Sequence, residues 1–542
     1  MNKVLKGLVA VAATAAMAVA GFAGASTAMA AEGTHTVTIS PAKSGHTYEA
    51  YQIFTGTLGA DGSLGNVVWG SGIDQSKLAA EGTDALIKDK DAATVSQNLA
   101  AKSSDSTDAK AYATAFSGVL STTHTDSSDF VSTGVGSYTI SGLSDGYYLI
   151  QDKAGTLNEK NDAYTSFILK IIGKDVTVAP KSTQPTVDKK IQDETGDAEA
   201  DATEGWGNTA DHDINESFQF KLDAIIPAEA NLADYKTYKV KFNDTMSKGV
   251  TFESIESVKV NGQNNTGAET WTLTKTDYTA TTPTAAEDDT QSWSLTIDDV
   301  IAKCDGIKIA QGFTVEVIYN AHLNEKATIN NASGTTDNKN SVNLEYSNNP
   351  NAEGTGKTED KTVYAFTFGI TNKKVIDSVD GDALAGAGFK LYTDEGCTQE
   401  YKLVKDDTLG AYRPAKADET AVEMKSATDG TFPIKGLDAG TYYLKETTTP
   451  KGYTTAAVKT IKIDAMHSIN ESGNPQVTLS SDSTLDNKIV DKKGSTLPST
   501  GGMGTVLLYV AGIAVFVLAG ATLVMALRRR NACSSGFHKN LK

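Results

Sequence analysis

TFPIKGLDAGTYYLKE, residues 431–446, settles the local architecture. Phe432 and Ile434 alternate with polar neighbours, Gly-Leu-Asp-Ala-Gly supplies a short turn, and Tyr442 and Leu444 alternate again. A period of two places every second side chain on one face, which is the pattern of a half-buried strand and not of a helix. SYTISGLSDGYYLIQD, residues 137–152, has the same plan: aromatic-x-Ile-x-Gly-Leu, a turn, then Tyr-Tyr-Leu. Two such copies imply two related β-sandwiches in one chain.

The alternation continues outward through Phe218, Phe220 and Leu222, then Tyr238, Val240 and Phe242, then Val342, Leu344 and Tyr346. Only the alanine-rich stretch 76–120 reads as helical, inserted into the first domain. A chain of 542 residues is too long for one core. Seams rich in proline, glycine or polar residues fall at 180–185 and 348–361. The expectation is a mainly β protein of three tandem immunoglobulin-like sandwiches, 31–181, 182–358 and 359–494, the middle one of a different type.

Composition narrows the function. There are 67 acidic against 49 basic residues, a net charge of −18, which argues against nucleic-acid binding. The three cysteines, Cys304, Cys397 and Cys533, are too scattered for a disulfide framework, so free buried thiols are expected at the first two. The seven histidines show no metal-ligand spacing along the chain, and no G-x-S-x-G is present. Neither a cofactor, a metal nor an enzyme is expected.

Both ends read as processing signals. Lys3 and Lys6, an apolar run, and Ala28-Met29-Ala30 form an export signal over residues 1–30. Near the other end LPSTG (Leu497, Pro498, Ser499, Thr500, Gly501) precedes an uncharged span, 505–527, and Arg528, Arg529 and Arg530. Residues 495–542 thus resemble the cell-wall sorting signal that sortases recognise. The resemblance implies that a sortase cysteine attacks the Thr500 carbonyl, releases everything from Gly501 on, and passes Thr500 to an amine. Membrane insertion is then transient, and Cys533 is lost.

LAGAGFKLY (384–392) and YYLKETTTPKGY (442–453) resemble the Cna B-type domain that closes major pilins, the second string matching its E-box. In that family a first-strand lysine and a last-strand asparagine form an isopeptide bond assisted by the E-box glutamate. Strand phase selects the residues: Lys374 shares a face with Phe366, Phe368 and Ile370; Glu446 with Tyr442 and Leu444; Asn487 with Leu485 and Ile489. Lys373 is the alternative one step out of register. The middle part resembles the second domain of the same pilins through PTVDKKI (185–191), FNDTMSKGVTF (242–252) and LEYSNNP (344–350). There phase selects Lys189, Asp244 and Asn348, with Lys190 and Asn349 left as alternatives.

Burial is what the chemistry requires. Desolvation lowers a lysine's pKa and raises a carboxyl's, so a neutral amine can attack an amide carbonyl that a protonated acid polarises, and ammonia leaves. Fixed proximity supplies much of the rate. The first domain lacks the set, with Gln151 at the position of Glu446 and no in-phase lysine near Val37 and Ile39, so no bond is expected there.

DVTVAPK, 175–181, resembles the pilin motif, whose last lysine receives the neighbouring subunit's threonine. Ile172 stands where that motif has tryptophan and Ala179 where it has tyrosine. The resemblance implies a structural pilus backbone subunit, secreted and wall-anchored, linked from Thr500 to Lys181 of the next copy. Its partners would be identical subunits, a pilus-class sortase, a housekeeping sortase with peptidoglycan, and a tip pilin. The alternative is a wall-anchored monomeric adhesin or ancillary pilin, which needs LPSTG but not Lys181.

Overall fold

The computed structural model describes residues 35–103, 106–193, 205–494 and 504–534. The export signal and the LPSTG pentapeptide lie outside the described residues.

In the first domain His35–Ile39 runs between Tyr138–Leu143 and Val176–Val178. The facing sheet is built on Tyr48–Leu58, flanked by Leu64–Trp69 and by Gly146–Asp152, with Ile168–Ile172 beyond. The inserted helices are Ala92–Ala100, capped by Asp91, and Thr107–Ser117, capped by Ser106. Each cap accepts a hydrogen bond from an otherwise unpaired first-turn amide. The helices bury Val95, Leu99, Tyr112 and Phe116 against Phe54 and Trp69.

The middle domain stacks a six-stranded sheet on an eight-stranded one. In the first, Thr186–Gln192, Ser217–Ile226, Phe313–Leu323 and Val250–Gln263 are successive neighbours. In the second, the order is Lys361–Phe366, Lys339–Ser347, Val240–Met246 and Gln291–Ile297. Phe313–Leu323 alternates buried and half-buried residues along its whole length, so its large residues all enter one core.

One boundary differs from the expectation. Lys361–Phe366, assigned by the sequence seam to the third domain, pairs instead with Lys339–Ser347 and Thr209–Asp211 of the middle one. Alternation through Phe366 and Phe368 reads as one strand, but the chain changes sheet at Thr367. That buried hydroxyl donates to Leu437 O at 3.3 Å.

In the third domain Phe368–Ile376 lies antiparallel to Ile434–Leu437 and parallel to the last strand, Asp486–Asp491. Gly388–Tyr392, Gly440–Thr448 and Lys459–Ile463 form the facing sheet. The shared Gly-Leu has a backbone reason. Gly142 and Gly436 sit at φ of 79° and 84°, a left-handed conformation that favours glycine. At Gly436 a Cβ would also lie 2.5 Å from Ile214 of the middle domain, so the two domains meet at this turn. A hairpin, Ala465–Ile469 with Pro475–Leu479, reaches back to bridge Val477 to Gly334. Finally, Gly504–Ser534 is a helix whose stretch Leu507–Arg529 has mean hydropathy 2.5 and is long enough to span a bilayer.

Candidate functional site

Lys374 and Lys189 are both 0 % exposed, in cores where lysine is ordinarily excluded unless paired. Each points inward because its strand alternates, while the adjacent Lys373 and Lys190 are half-buried and Lys190 bonds Asn208 at 3.1 Å.

In the third domain Lys374 Nζ donates to Glu446 Oε2 at 2.9 Å and to Asp491 Oδ1. The ammonium lies 5.4 Å from the centre of the Phe389 ring. Glu446 Oε2 is held by the Ala456 amide at 2.8 Å. Burial pushes the Asp491 carboxyl above its ordinary range; Lys374 pulls it down and neighbouring Glu446 pushes it up. Asn487, the expected partner, donates its amide to Thr484 O at 2.8 Å and makes no hydrogen bond to Lys374. The parallel ladder pairs Lys374 with Ile489, so Asn487 and Asp491 flank that position on the inner face. The long stem carries the amine toward Asp491. Phase found the face but not the reach.

In the middle domain Lys189 Nζ donates to Asp244 Oδ2 and to the Tyr319 hydroxyl, the latter at 3.0 Å. Tyr319 donates to Asp244 Oδ2 at 3.1 Å and accepts from Asn340 Nδ2 at 2.5 Å. Burial drives Lys189 down to about 8 against the opposing pull of Asp244, and the same burial raises Asp244. Asn348 is elsewhere. It sits just past the far end of the strand that carries Asn340, and donates to Leu157 O and Asp162 O of the first domain, both at 3.1 Å. Asn349 is also outside the core cluster, accepting from the Asn351 amide at 3.0 Å. Asn340 has the same strand phase as Asn348 and stands opposite Met246, two residues beyond Asp244, so pairing the strands would have found it. Tyr319, Asn340 and Asp491 are the cluster residues that sequence reasoning missed.

The first domain has its own buried cluster. Asp152, not Gln151, is the inward residue at the end of Gly146–Asp152, lying opposite Tyr48. A His46 ring N–H donates to Asp152 Oδ1 at 2.8 Å, and its other ring nitrogen is 3.4 Å from Asp162 Oδ2. Burial alone would lower the imidazole's pKa, but the two carboxylates outweigh it and hold His46 at about 9.

Lys181 hangs from this cluster by its backbone. Its amide donates to Thr165 Oγ1 at 2.7 Å, and its carbonyl accepts from Ser166 at 2.9 Å. The Thr165 amide donates in turn to Asp152 Oδ2 at 2.6 Å, and Thr165 O accepts from Asn351 Nδ2 at 2.8 Å. The segment bearing Lys181 is thus gripped by His46–Asp152 on one side and by the asparagines after the middle domain's Lys339–Ser347 strand on the other. Cys304 is buried, as expected, while Cys397 is half-exposed because it lies on a surface turn at φ 51°.

Three family descriptions match the chain in series. Residues 214–350 match the Gram-positive pilin backbone subunit 2, Cna-B-like domain; 369–476 match a prealbumin-like fold domain; 489–532 match the LPXTG cell wall anchor motif. Among curated proteins no sequence match was found. Similar solved structures include the full-length major pilin SpaD from Corynebacterium diphtheriae, 17% identical, TM-score 0.45, covering 85% of this chain and 98% of that one. The T6 backbone pilin of Streptococcus pyogenes is 16% identical, TM-score 0.48, covering 86% of this chain and all of that one (100%). A Cna-B-like backbone domain, a prealbumin-like domain and a wall anchor, in that order, make this chain a member of the Gram-positive backbone pilins, anchored to the cell wall.

Proposed function

We propose that the chain is the repeating subunit of a covalent pilus shaft. A pilus-class sortase joins Thr500 of one copy to Lys181 of the next, and a housekeeping sortase attaches the finished polymer to peptidoglycan. Two internal isopeptide bonds stiffen each subunit.

In the third domain the neutral amine of Lys374 attacks Cγ of Asp491 while Glu446, protonated, hydrogen-bonds the carbonyl oxygen. The N–C bond forms, the C–OH bond breaks, and one water leaves with the displaced proton. In the middle domain Lys189 attacks Cγ of Asn340 with Asp244 as the acid, and one ammonia leaves. Each reaction needs the amine uncharged, and the low position of Lys189 makes that form accessible near neutral pH. Glu446 and Asp244 are consumed by neither step.

The observation that carries this reading is the pair of fully buried lysine amines, each in contact with an inward carboxyl. Polymerisation is tested by Lys181→Ala. Wall extracts from cells carrying it should lose the ladder of high-mass polymer and keep wall-anchored single units. A persisting ladder removes Lys181 as acceptor. A wild-type extract of single units only would favour a monomeric adhesin or ancillary pilin.

A further inference from the structure

A second polar cluster lies where the middle domain meets the third, apart from both lysine sites. Asp193 follows the strand Thr186–Gln192, Asp211 ends Thr209–Asp211, and His467 sits on the hairpin strand Ala465–Ile469. Their exposures are 6%, 2% and 2%. His467 Nε2 is 3.1 Å from Asp193 Oδ2 and 4.0 Å from Asp211 Oδ2. One ligand atom from each of the three falls within 4.8 Å of the others. His467 Nδ1 is 2.8 Å from Thr209 Oγ1, which fixes the ring so that Nε2 faces the carboxylates. The Phe366 ring stacks near the imidazole, 5.9 Å between centroids, and the Asp193 amide is tied to Gly205 O at 2.7 Å.

We propose that Asp193, Asp211 and His467 bind one zinc-class divalent cation that ties the middle domain to the third. The geometry fits the ion. On a tetrahedral zinc with bonds of about 2.0–2.1 Å, ligand atoms stand roughly 3.3 Å apart, and the two measured separations bracket that value. One imidazole nitrogen with two carboxylate oxygens suits zinc better than calcium or magnesium, which take shells of oxygen alone. Two carboxylates with a neutral imidazole balance a dication. Thr209 supplies the outer-shell partner that metal-bound histidines ordinarily have, with Nδ1–H donating to its hydroxyl. Because the ligands come from two domains, the ion is held only when those domains are docked. Its binding free energy therefore adds to the stiffness of their junction.

The test does not depend on polymerisation. Full-length protein in detergent, stripped with chelator, is titrated calorimetrically with zinc chloride and melted with and without the metal. Glu49, His124 and Asp126 on the first domain form another group of potential ligands, two of them exposed, and serve as the internal control. The expected result is a zinc whose affinity falls at least about a hundredfold in His467→Ala and in Asp193→Asn. That zinc should be unaffected in His124→Ala. Zinc-edge anomalous scattering from wild-type crystals needs no variant, and should place a peak roughly 2.0–2.1 Å from His467 Nε2. No peak there, or zinc binding that survives loss of His467 and disappears with His124, would overturn the proposal.

Discussion

The first and third domains carry the same strand–turn–strand repeat and the same inward acid at its end, yet they use it differently. In the third, Glu446 meets Lys374 beside Asp491. In the first, Asp152 meets His46 beside Asp162. Both clusters set one nitrogen base between two buried carboxyls. A lysine amine on a flexible stem can be acylated to a stable amide, whereas an imidazole in the same setting holds its neighbours by hydrogen bond and charge alone. Under the proposed chemistry the third domain has a covalent, pH-independent fastening and the first a reversible one, next to Lys181, the proposed acceptor.

The largest effect that would break this contrast comes from Glu446→Ala. Without its acid the third domain should keep Lys374 and Asp491 unlinked. A covalent closure spanning 117 positions between Lys374 and Asp491 is worth about 4–5 kcal/mol by analogy with a disulfide of that loop size. Denaturant unfolding of the variant should show that loss in the third domain alone, and unchanged stability would remove the bond from the account.

Next is the pH response of the first domain. The folded His46 pKa of about 9 lies above the ordinary 6.5, so between those values the folded state holds more protons than the unfolded one. Its stabilisation is full below about pH 6.5 and declines as pH rises through about 9, by roughly 3 kcal/mol. Burial also raises the Asp152 carboxyl, against the opposing pull of His46. Thermal unfolding followed from pH 6 to 10 should therefore show the first domain weakening, and His46→Gln should flatten the curve. A flat wild-type curve would mean that the imidazole is not carrying charge between its carboxylates.

The smallest expected effect separates two asparagines on one strand path. Asn348→Ala should cost about 1–2 kcal/mol by leaving Asp162 O unpaired and Leu157 O with the Lys160 amide alone, and should loosen the first domain against the middle one. It should leave the middle domain's loss of ammonia intact, whereas Asn340→Ala should restore the full mass there. The reverse pattern would return the role to Asn348.

Much of this was legible in the chain. Alternation located the strands, and the parity of each strand selected Lys189 over Lys190, Lys374 over Lys373, and Asp244 and Glu446 as inward residues. Parity has no memory of distance along a strand, however. Asn340 and Asn348 share a face, as do Asn487 and Asp491; the ladder register separates the first pair, and the direction of the lysine stem separates the second. Tyr319 was illegible for another reason. A tyrosine in an apolar alternation reads as core, and its hydroxyl's contacts with Lys189, Asp244 and Asn340 depend on three other strands. The sheet change at Thr367 left no break in alternation for a reader to find. Matching the Tyr-Tyr-Leu strings puts Gln151 at the position of Glu446 and hides Asp152, whereas the Gly-Leu turns that precede them set the structural register.

The central claim is that two lysines have fused with neighbouring side chains inside their cores. Intact mass spectrometry of the folded, purified chain under denaturing conditions tests it directly. The account predicts a mass below that of the sequence by one ammonia and one water. The full sequence mass would contradict it.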